Sequence, residues 1–355
     1  MACRMARRAI ECDRSTAYSC VPGSLYCLTK ASHSCLNLIA VFWEISVAQR
    51  SLAKRPQRKM SEDRILKLLE ERLGRRHARQ RIGVERDHEA QVFGQGINFF
   101  HIENLPLGHT IIRTLLMLSG LYWRGRRNAA KVVLKHNVIS TPHVPEAFDG
   151  YTILQISDLH VECSADAMIQ VATIVESLAY DICVLTGDYR AKTWGPHEAA
   201  LDGIRRVRAA LTSPVYGVLG NHDTVRMLPG LEDMGIRMLM NEAETIRRGW
   251  DRIHLVGIDD AHFYRADNIE KAAEGIPHAE FSVLVTHTPE IYRQAAHADF
   301  DVLISGHTHG GQICLPGGIP LTLSAVLPRA LGSGAWRHHD MVGYTAVGAG
   351  SSVVP

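Results

Sequence analysis

From Tyr151 onward, short apolar runs recur along the chain, each ending in small or polar residues: YTILQIS, DICVLTG, VYGVLG, HLVGI, FSVLVTH and DVLISGH. Runs of this length, largely non-alternating and bounded by turn residues, predict strands buried on both faces. Between the first two, ADAMIQVATIVESLAY predicts a helix, and between the second and third HEAALDGIRRVRAAL does the same. Strand and helix in alternation is an α/β layout with largely parallel strands. Upstream, MSEDRILKLLEERL opens at Met60 with Ser61 as N-cap, acids in the first turn and Ile65, Leu69 and Leu73 on one stripe, which predicts a helix. The run GRRHARQR (74–81) that follows reads as a solvated helix face. Further on, Ile111, Leu115, Leu118 and Tyr122 keep helical spacing and lead into Arg124, Arg126, Arg127 and Lys131. This predicts an amphipathic basic helix around 109–131 that is too short to span a bilayer. It suits either a membrane interface with anionic headgroups or packing on the domain that follows.

Residues 1–59 carry no such pattern. They mix cysteine, serine and arginine and end in a basic run, and their apolar patch LNLIAVFWEISVA is interrupted by Glu44 and falls short of a bilayer span. It also lies too deep for a signal peptide. The expected organisation is a disordered or spurious extension over 1–59 with Met60 as the true start, a helical region over 60–143, and a catalytic domain over 144–355.

Composition narrows the class. Of 355 residues, 46% are hydrophobic and 21% charged, which is ordinary for a soluble globular protein, and a formal net charge of +2 gives no reason to expect nucleic acid as the main partner. The 8 cysteines form no CxxC pair, so neither a zinc ribbon nor a redox motif is supported. Lone cysteines at 163, 183 and 314 fit a reducing compartment, and the expected location is cytoplasmic. The 19 histidines invite metal chemistry.

Ligand sites in α/β sheets lie beyond the carboxyl ends of the strands. After YTILQIS come Asp158 and His160; after DICVLTG, Asp188; after VYGVLG, Asn221, His222 and Asp223. His287 ends FSVLVTH, and His307 and His309 follow DVLISG. A lone aspartate after a strand serves a turn or cap more often than a metal. Here five strand ends bring carboxylate, imidazole and amide together. That is more oxygen and nitrogen than one first-row ion takes, with no thiolate, and it suits two ions sharing a bridging carboxylate. Such a pair clamps the attacking and leaving oxygens of a phosphoryl displacement and lowers the pKa of a shared water. A neutral asparagine limits the negative charge that would repel a phosphate, and the glycines of GHTHGGQ leave room for metals and substrate.

The blocks DLH, GDY, GNHD, THTP and GHTHGG, in that order, resemble the calcineurin-like metallophosphoesterase superfamily over roughly 144–355. The last block, GHTHGGQ, preceded by LVGIDD, is similar to a subgroup of bacterial phosphodiesterases and UDP-2,3-diacylglucosamine pyrophosphatases. The resemblance implies a four-layer α/β/β/α sandwich with two mixed sheets and a dimetal site at the strand C-terminal ends. Asp158, His160 and His309 would hold one ion, Asn221, His287 and His307 the other, and Asp188 would bridge them. His222 would stabilise the transition state or protonate the leaving oxygen, while Asp223 would orient His222 or cap a helix. Asp259 and Asp260 read as loop residues. The implied activity is hydrolysis of a phosphodiester or pyrophosphate by a metal-bridging hydroxide, with two divalent ions (Mn, Fe or Zn) as cofactors and a phosphate-ester substrate. The alternatives are a lipid-precursor pyrophosphatase, peripheral on the inner membrane face, and a non-catalytic scaffold. All seven ligand positions and His222 are present, which weighs against the scaffold. The subgroup's arginine- and proline-containing tail is not evident in GYTAVGAGSSVVP.

Overall fold

The computed structural model describes residues 61–94, 113–312, 314–315, 319–320 and 323–352. The extension expected over 1–59 and the start of the amphipathic pattern, Ile111 included, lie outside the described residues. The Ser61 hydroxyl accepts the amide of Arg64 and starts α1 (Glu62–Leu73); Gly74, at φ 83°, ends it. Leu69 and Leu73 are buried as the stripe requires. α2 (Arg75–Gly94) follows directly. Its N-terminal turns expose Arg75, Arg76, Arg79 and Gln80 as a solvated face, but Arg81, at the end of the basic run, is completely buried, held by Asp259 and Glu85. Residues 113–118 are helical, the chain turns at Ser119 and left-handed Gly120, and α3 (Leu121–Ala129) begins. The pattern around 109–131 therefore bends where a glycine at positive φ stops a helix.

The strands and helices that follow are β1 (Ile153–Ile156), α4 (Ala165–Glu176), β2 (Ile182–Leu185), α5 (Glu198–Ala209), β3 (Val215–Gly217), α6 (Leu228–Glu232) and β4 (Ile236–Met238). They build a sheet in the order β1-β2-β3-β4 in which every pairing is parallel. Two mixed sheets were expected; this one is wholly parallel, because each connection crosses over through a helix and a strand returning that way enters parallel. The second sheet is mixed. It comprises β5 (Glu242–Arg248), β6 (Asp251–Gly257), β7 (Ser282–Val285), β8 (Val302–Ser305), β11 (Gly334–His338) and β12 (Met341–Thr345), in the order β11-β12-β8-β7-β6-β5. β6, β7, β8 and β12 run parallel, and hairpins add β5 and β11 antiparallel at the edges. α7 (Ile269–Ala272) and α8 (Tyr292–His297) lie between strands of this sheet in the chain, and β9 (Cys314–Leu315) pairs with β10 (Ile319–Pro320) beside it.

Side-chain alternation stacks the layers. Val184, Val218 and Leu239 from the first sheet share a core with Leu255, Val283, Val285 and Val302 from the second. On the first sheet's other face, Cys183 and Leu185 pack with Met168, Val171 and Ile204 of α4 and α5, and with Leu69 and Leu73 of α1. On the second sheet's other face, Leu284 and Leu303 pack with Tyr292 and Ala295 of α8. The result is α/β/β/α, with strands buried on both faces. Among the described residues no helix is long and apolar enough to cross a membrane.

Candidate metal centre

The residues just beyond β1, β2, β3, β7 and β8 meet in one buried cluster. Backbone bonds lace their loops together: Asp158 N–H donates to the Gly187 carbonyl, His160 N–H to that of Asp188 and Gly306 N–H to that of His287, at 3.0, 3.0 and 2.8 Å. To turn so sharply out of a strand, Asp158, His160, Asp188, His307 and His309 all take positive φ, between 37° and 71°. Non-glycine residues rarely do so, and such strain persists only where its surroundings enforce it.

Two donor groups result. Asp158, His160 and His309 form one, and Asp188, His287 and His307 the other, the ligand atoms within each lying inside 4.8 Å of one another. In the first, Nε2 of His160 is 3.1 Å from Nε2 of His309, which is 3.5 Å from an Asp158 oxygen. In the second, Nε2 of His287 is 3.2 Å from Nδ1 of His307 and 2.9 Å from Oδ1 of Asn221. Asp188 faces both groups. Its Oδ1 accepts the His222 amide at 2.9 Å, which leaves Oδ2 3.3 Å from His287 and 3.8 Å from His160.

The rings are oriented from behind. Nδ1 of His160 is 2.8 Å from the Arg190 carbonyl, Nδ1 of His287 is 2.8 Å from that of Thr186, and Nε2 of His307 is 3.0 Å from that of Ser324. The backbone carbonyls can only accept, so these nitrogens donate, and in a neutral ring the inward nitrogen keeps its lone pair. Inward lone pairs about 3 Å apart repel unless a cation lies between them. The donor set thus fits divalent ions, with oxygen and imidazole nitrogen only. The electrostatics agree. Burial alone would raise Asp188, but His287, His222 and His160 hold its carboxyl well below the usual range. Burial works against protonated His287, yet Asp188 and Asp158 raise its pKa to about 10. A divalent ion beside Asp188 would displace that proton. Burial lowers His307 and His309, keeping both imidazoles neutral.

His222 lies at the rim of this cluster, its Nε2 3.9 Å from Oδ2 of Asp188 and its Nδ1 3.3 Å from the Thr193 hydroxyl. Asp223 is not its orienting partner. Oδ1 of Asp223 accepts the amides of Tyr189 and Arg190 and Oδ2 that of Gly220, so its carboxylate braces the Asp188 loop. Burial and the neighbouring Asp188 raise its pKa to about 6. Asp260 is a loop residue, accepting the amides of His262, Phe263 and Tyr264. Asp259, in the same loop, anchors α2 by bonding Arg81 and His77.

Sequence reasoning missed Thr193, which is five residues from Asp188 but belongs to no motif block. It also missed His262, whose ring centroid lies 4.3 Å from that of His307 and whose Nδ1 is 2.5 Å from Glu290. Its place two residues after GIDD was the available signal.

Residues 151–311 match the family model described as calcineurin-like phosphoesterase. The chain is 28% identical over 250 residues to the uncharacterized metallophosphoesterase YkoQ of Bacillus subtilis, covering 68% of this chain and 91% of the relative. It is 28% identical over 204 residues to YkuE, another uncharacterized metallophosphoesterase of that organism, covering 53% and 70%. It is 25% identical over 225 residues to the UDP-2,3-diacylglucosamine pyrophosphatase LpxG of Chlamydia trachomatis, covering 47% and 66%.

Proposed function

We propose, from the match of residues 151–311 to the calcineurin-like phosphoesterase model, that this chain hydrolyses a phosphodiester or pyrophosphate bond at the cluster beyond β1, β2, β3, β7 and β8. The observation that carries the proposal is Asp188, whose single inward oxygen faces His287 at 3.3 Å and His160 at 3.8 Å. One carboxylate shared by two donor groups is what a dimetal centre needs. Asp158, His160 and His309 would hold one ion, His287, His307 and Asn221 the other, with Asp188 common to both. Two divalent ions of the Mn, Fe or Zn type, when bound, neutralise phosphate charge and bring the pKa of water near neutrality.

The chain's own residues do the rest. The carbonyls of Arg190, Thr186 and Ser324 fix the rings, so the donor set is organised before substrate arrives. His222, steadied through Nδ1 by Thr193, presents Nε2 to the leaving oxygen and gives it a proton, a contribution of about 10²–10⁴-fold. Asp223 contributes by holding the loop of Asp188 in its strained turn. A full-chain preparation loaded with Mn²⁺ tests this on three substrates: a phosphomonoester, bis(p-nitrophenyl) phosphate and UDP-2,3-diacylglucosamine. Turnover of the diester or the pyrophosphate should exceed that of the monoester and fall about 10²–10³-fold in Asp188→Asn, as when one charge-stabilising group is removed. Equal, negligible rates in both proteins would return the chain to a scaffold role.

A lipid-linked pyrophosphate is the second reading. It is favoured by Leu115, Leu118, Leu121 and Trp123, which are 50–81% exposed next to Arg124, Arg126 and Arg127. Apolar residues beside a basic cluster suit the surface of an anionic membrane, and a relative is named for a lipid-linked substrate. This would place the enzyme in the cytoplasm, peripheral on the inner membrane face.

A further inference from the structure

Behind His222 lies a second cavity, lined in part by Arg190, Thr193, Trp194, Arg226, Tyr264 and Glu85. Three of these carry buried donors with no hydrogen-bond partner among the described residues: Nη2 of Arg190, Nε1 of Trp194 and the hydroxyl of Tyr264. Arg190 is 2% exposed and Tyr264 4%. A buried unmet donor costs about 1–3 kcal/mol, and more when charged, so three around one cavity call for an occupant.

The chemistry of that occupant follows from what else lines the wall. Of the two carboxylates on the wall, Glu89 is exposed to solvent and Glu85 is engaged by Arg81, the Thr224 hydroxyl, the Val225 amide and Arg226, so neither makes much demand for a further donor inside the cavity. Burial pushes the Tyr264 phenol far up, so it remains a donor. The unmet groups are donors, one of them cationic, so the ligand must offer oxygen acceptors and preferably negative charge. Position ties it to catalysis. The loop after Asp188 presents Arg190 and Trp194 to the cavity, supports His160 through the Arg190 carbonyl and touches His222 through Thr193.

We propose that this cavity is an oxyanion subsite, one side chain removed from the metal centre, that binds a phosphate group or a similar oxyanion. That the oxyanion serves the phosphoesterase rests on the function proposed above; that it binds does not. Inorganic phosphate is the probe, titrated calorimetrically into the full chain loaded with Mn²⁺. In Asp188→Asn, where the metal centre is impaired, phosphate should still bind. Adding Tyr264→Phe or Arg190→Gln should weaken that binding at least tenfold. Melting curves separate loss of binding from loss of folding, and Tyr264→Phe, which removes one hydroxyl, keeps the test valid should Arg190→Gln not fold. Phosphate affinity unchanged in both double variants, or abolished by Asp188→Asn alone, would overturn the subsite. A second arm compares thymidine 5′-(p-nitrophenyl phosphate) with and without a 3′-phosphate. If Tyr264→Phe raises KM only for the 3′-phosphorylated substrate, the oxyanion belongs to the substrate. An equal KM change beside weakened phosphate binding supports a site for the free ion. Failure of the wild-type protein to hydrolyse any ester would refute the proposed function while leaving the titration intact.

Discussion

At the scale of single residues, the metal centre is a set of backbone compromises. Five of the seven proposed ligand residues sit in the left-handed region, at a cost on the order of 1–3 kcal/mol each. The strain is held by contacts that leave no room for side chains. A Cβ on Gly220 would collide with Oδ1 and the amide of Asp188. Gly220→Ala should therefore displace the shared carboxylate, lower bound metal and destabilise the fold by roughly 1–3 kcal/mol. Metal analysis with chemical denaturation measures both, and parental values for each would mean the close approach is dispensable. Thr193→Val removes one hydrogen bond to His222 and should lower kcat roughly 2–10-fold with bound metal unchanged. A simultaneous loss of metal would show that Thr193 supports the ligands instead. The clustering of the proposed ligands was legible because each lies just after an apolar run. The role of Asp223 was not, since a carboxylate beside a histidine reads the same whether it meets the ring or the backbone.

At the scale of elements, α1 was legible from its cap and stripe, but the docking of α2 was not. Arg81 looks like one more basic residue on a polar helix, yet it is fully buried, 3.2 Å from Asp259 and 2.8 Å from Glu85, with its guanidinium 3.5 Å from the centre of the Tyr264 ring. Breaking a buried pair from one side leaves the other charge unmet, at roughly 3–5 kcal/mol. Asp259→Asn should lower stability by about that amount at pH 7, read as a shift in urea midpoint. Burial works against the ionised Asp259, but Arg81 and His77 hold its pKa below the ordinary value. Its contribution is therefore full above the unfolded value of about 3.9 and fades as pH falls through the depressed folded value. The gap between wild type and variant should narrow below about pH 4. A gap that stays constant down to pH 2 would exclude the ion pair as its source. Polar β5, EAETIRR, escaped notice for a related reason: an edge strand does not need to be apolar.

At the scale of the whole molecule, two sheets face each other so that the carboxyl ends of β1, β2 and β3 meet those of β7 and β8, and the two donor groups draw on both. The exposed apolar residues around Gly120 belong to a separate question, attachment. Sedimentation with vesicles containing anionic phospholipid should pellet the wild-type chain, less so at high salt, and Leu118→Glu should release it. No pelleting of the wild-type protein at low salt would confine this segment to protein packing.

The sequence by itself determined the apolar strands β1, β2, β3, β6, β7 and β8, the capped helices and the candidate ligand positions, because those depend on local periodicity and on the residues that end each run. The tertiary structure brings the two donor groups together and sets Asp188 facing both, and it alone decided that the first sheet is wholly parallel and that Arg190, Trp194 and Tyr264 line one cavity. His160 and His309 are 149 residues apart in the chain and 3.1 Å apart in space. Such proximity follows from the pairing and stacking of the sheets, which no short window of sequence contains.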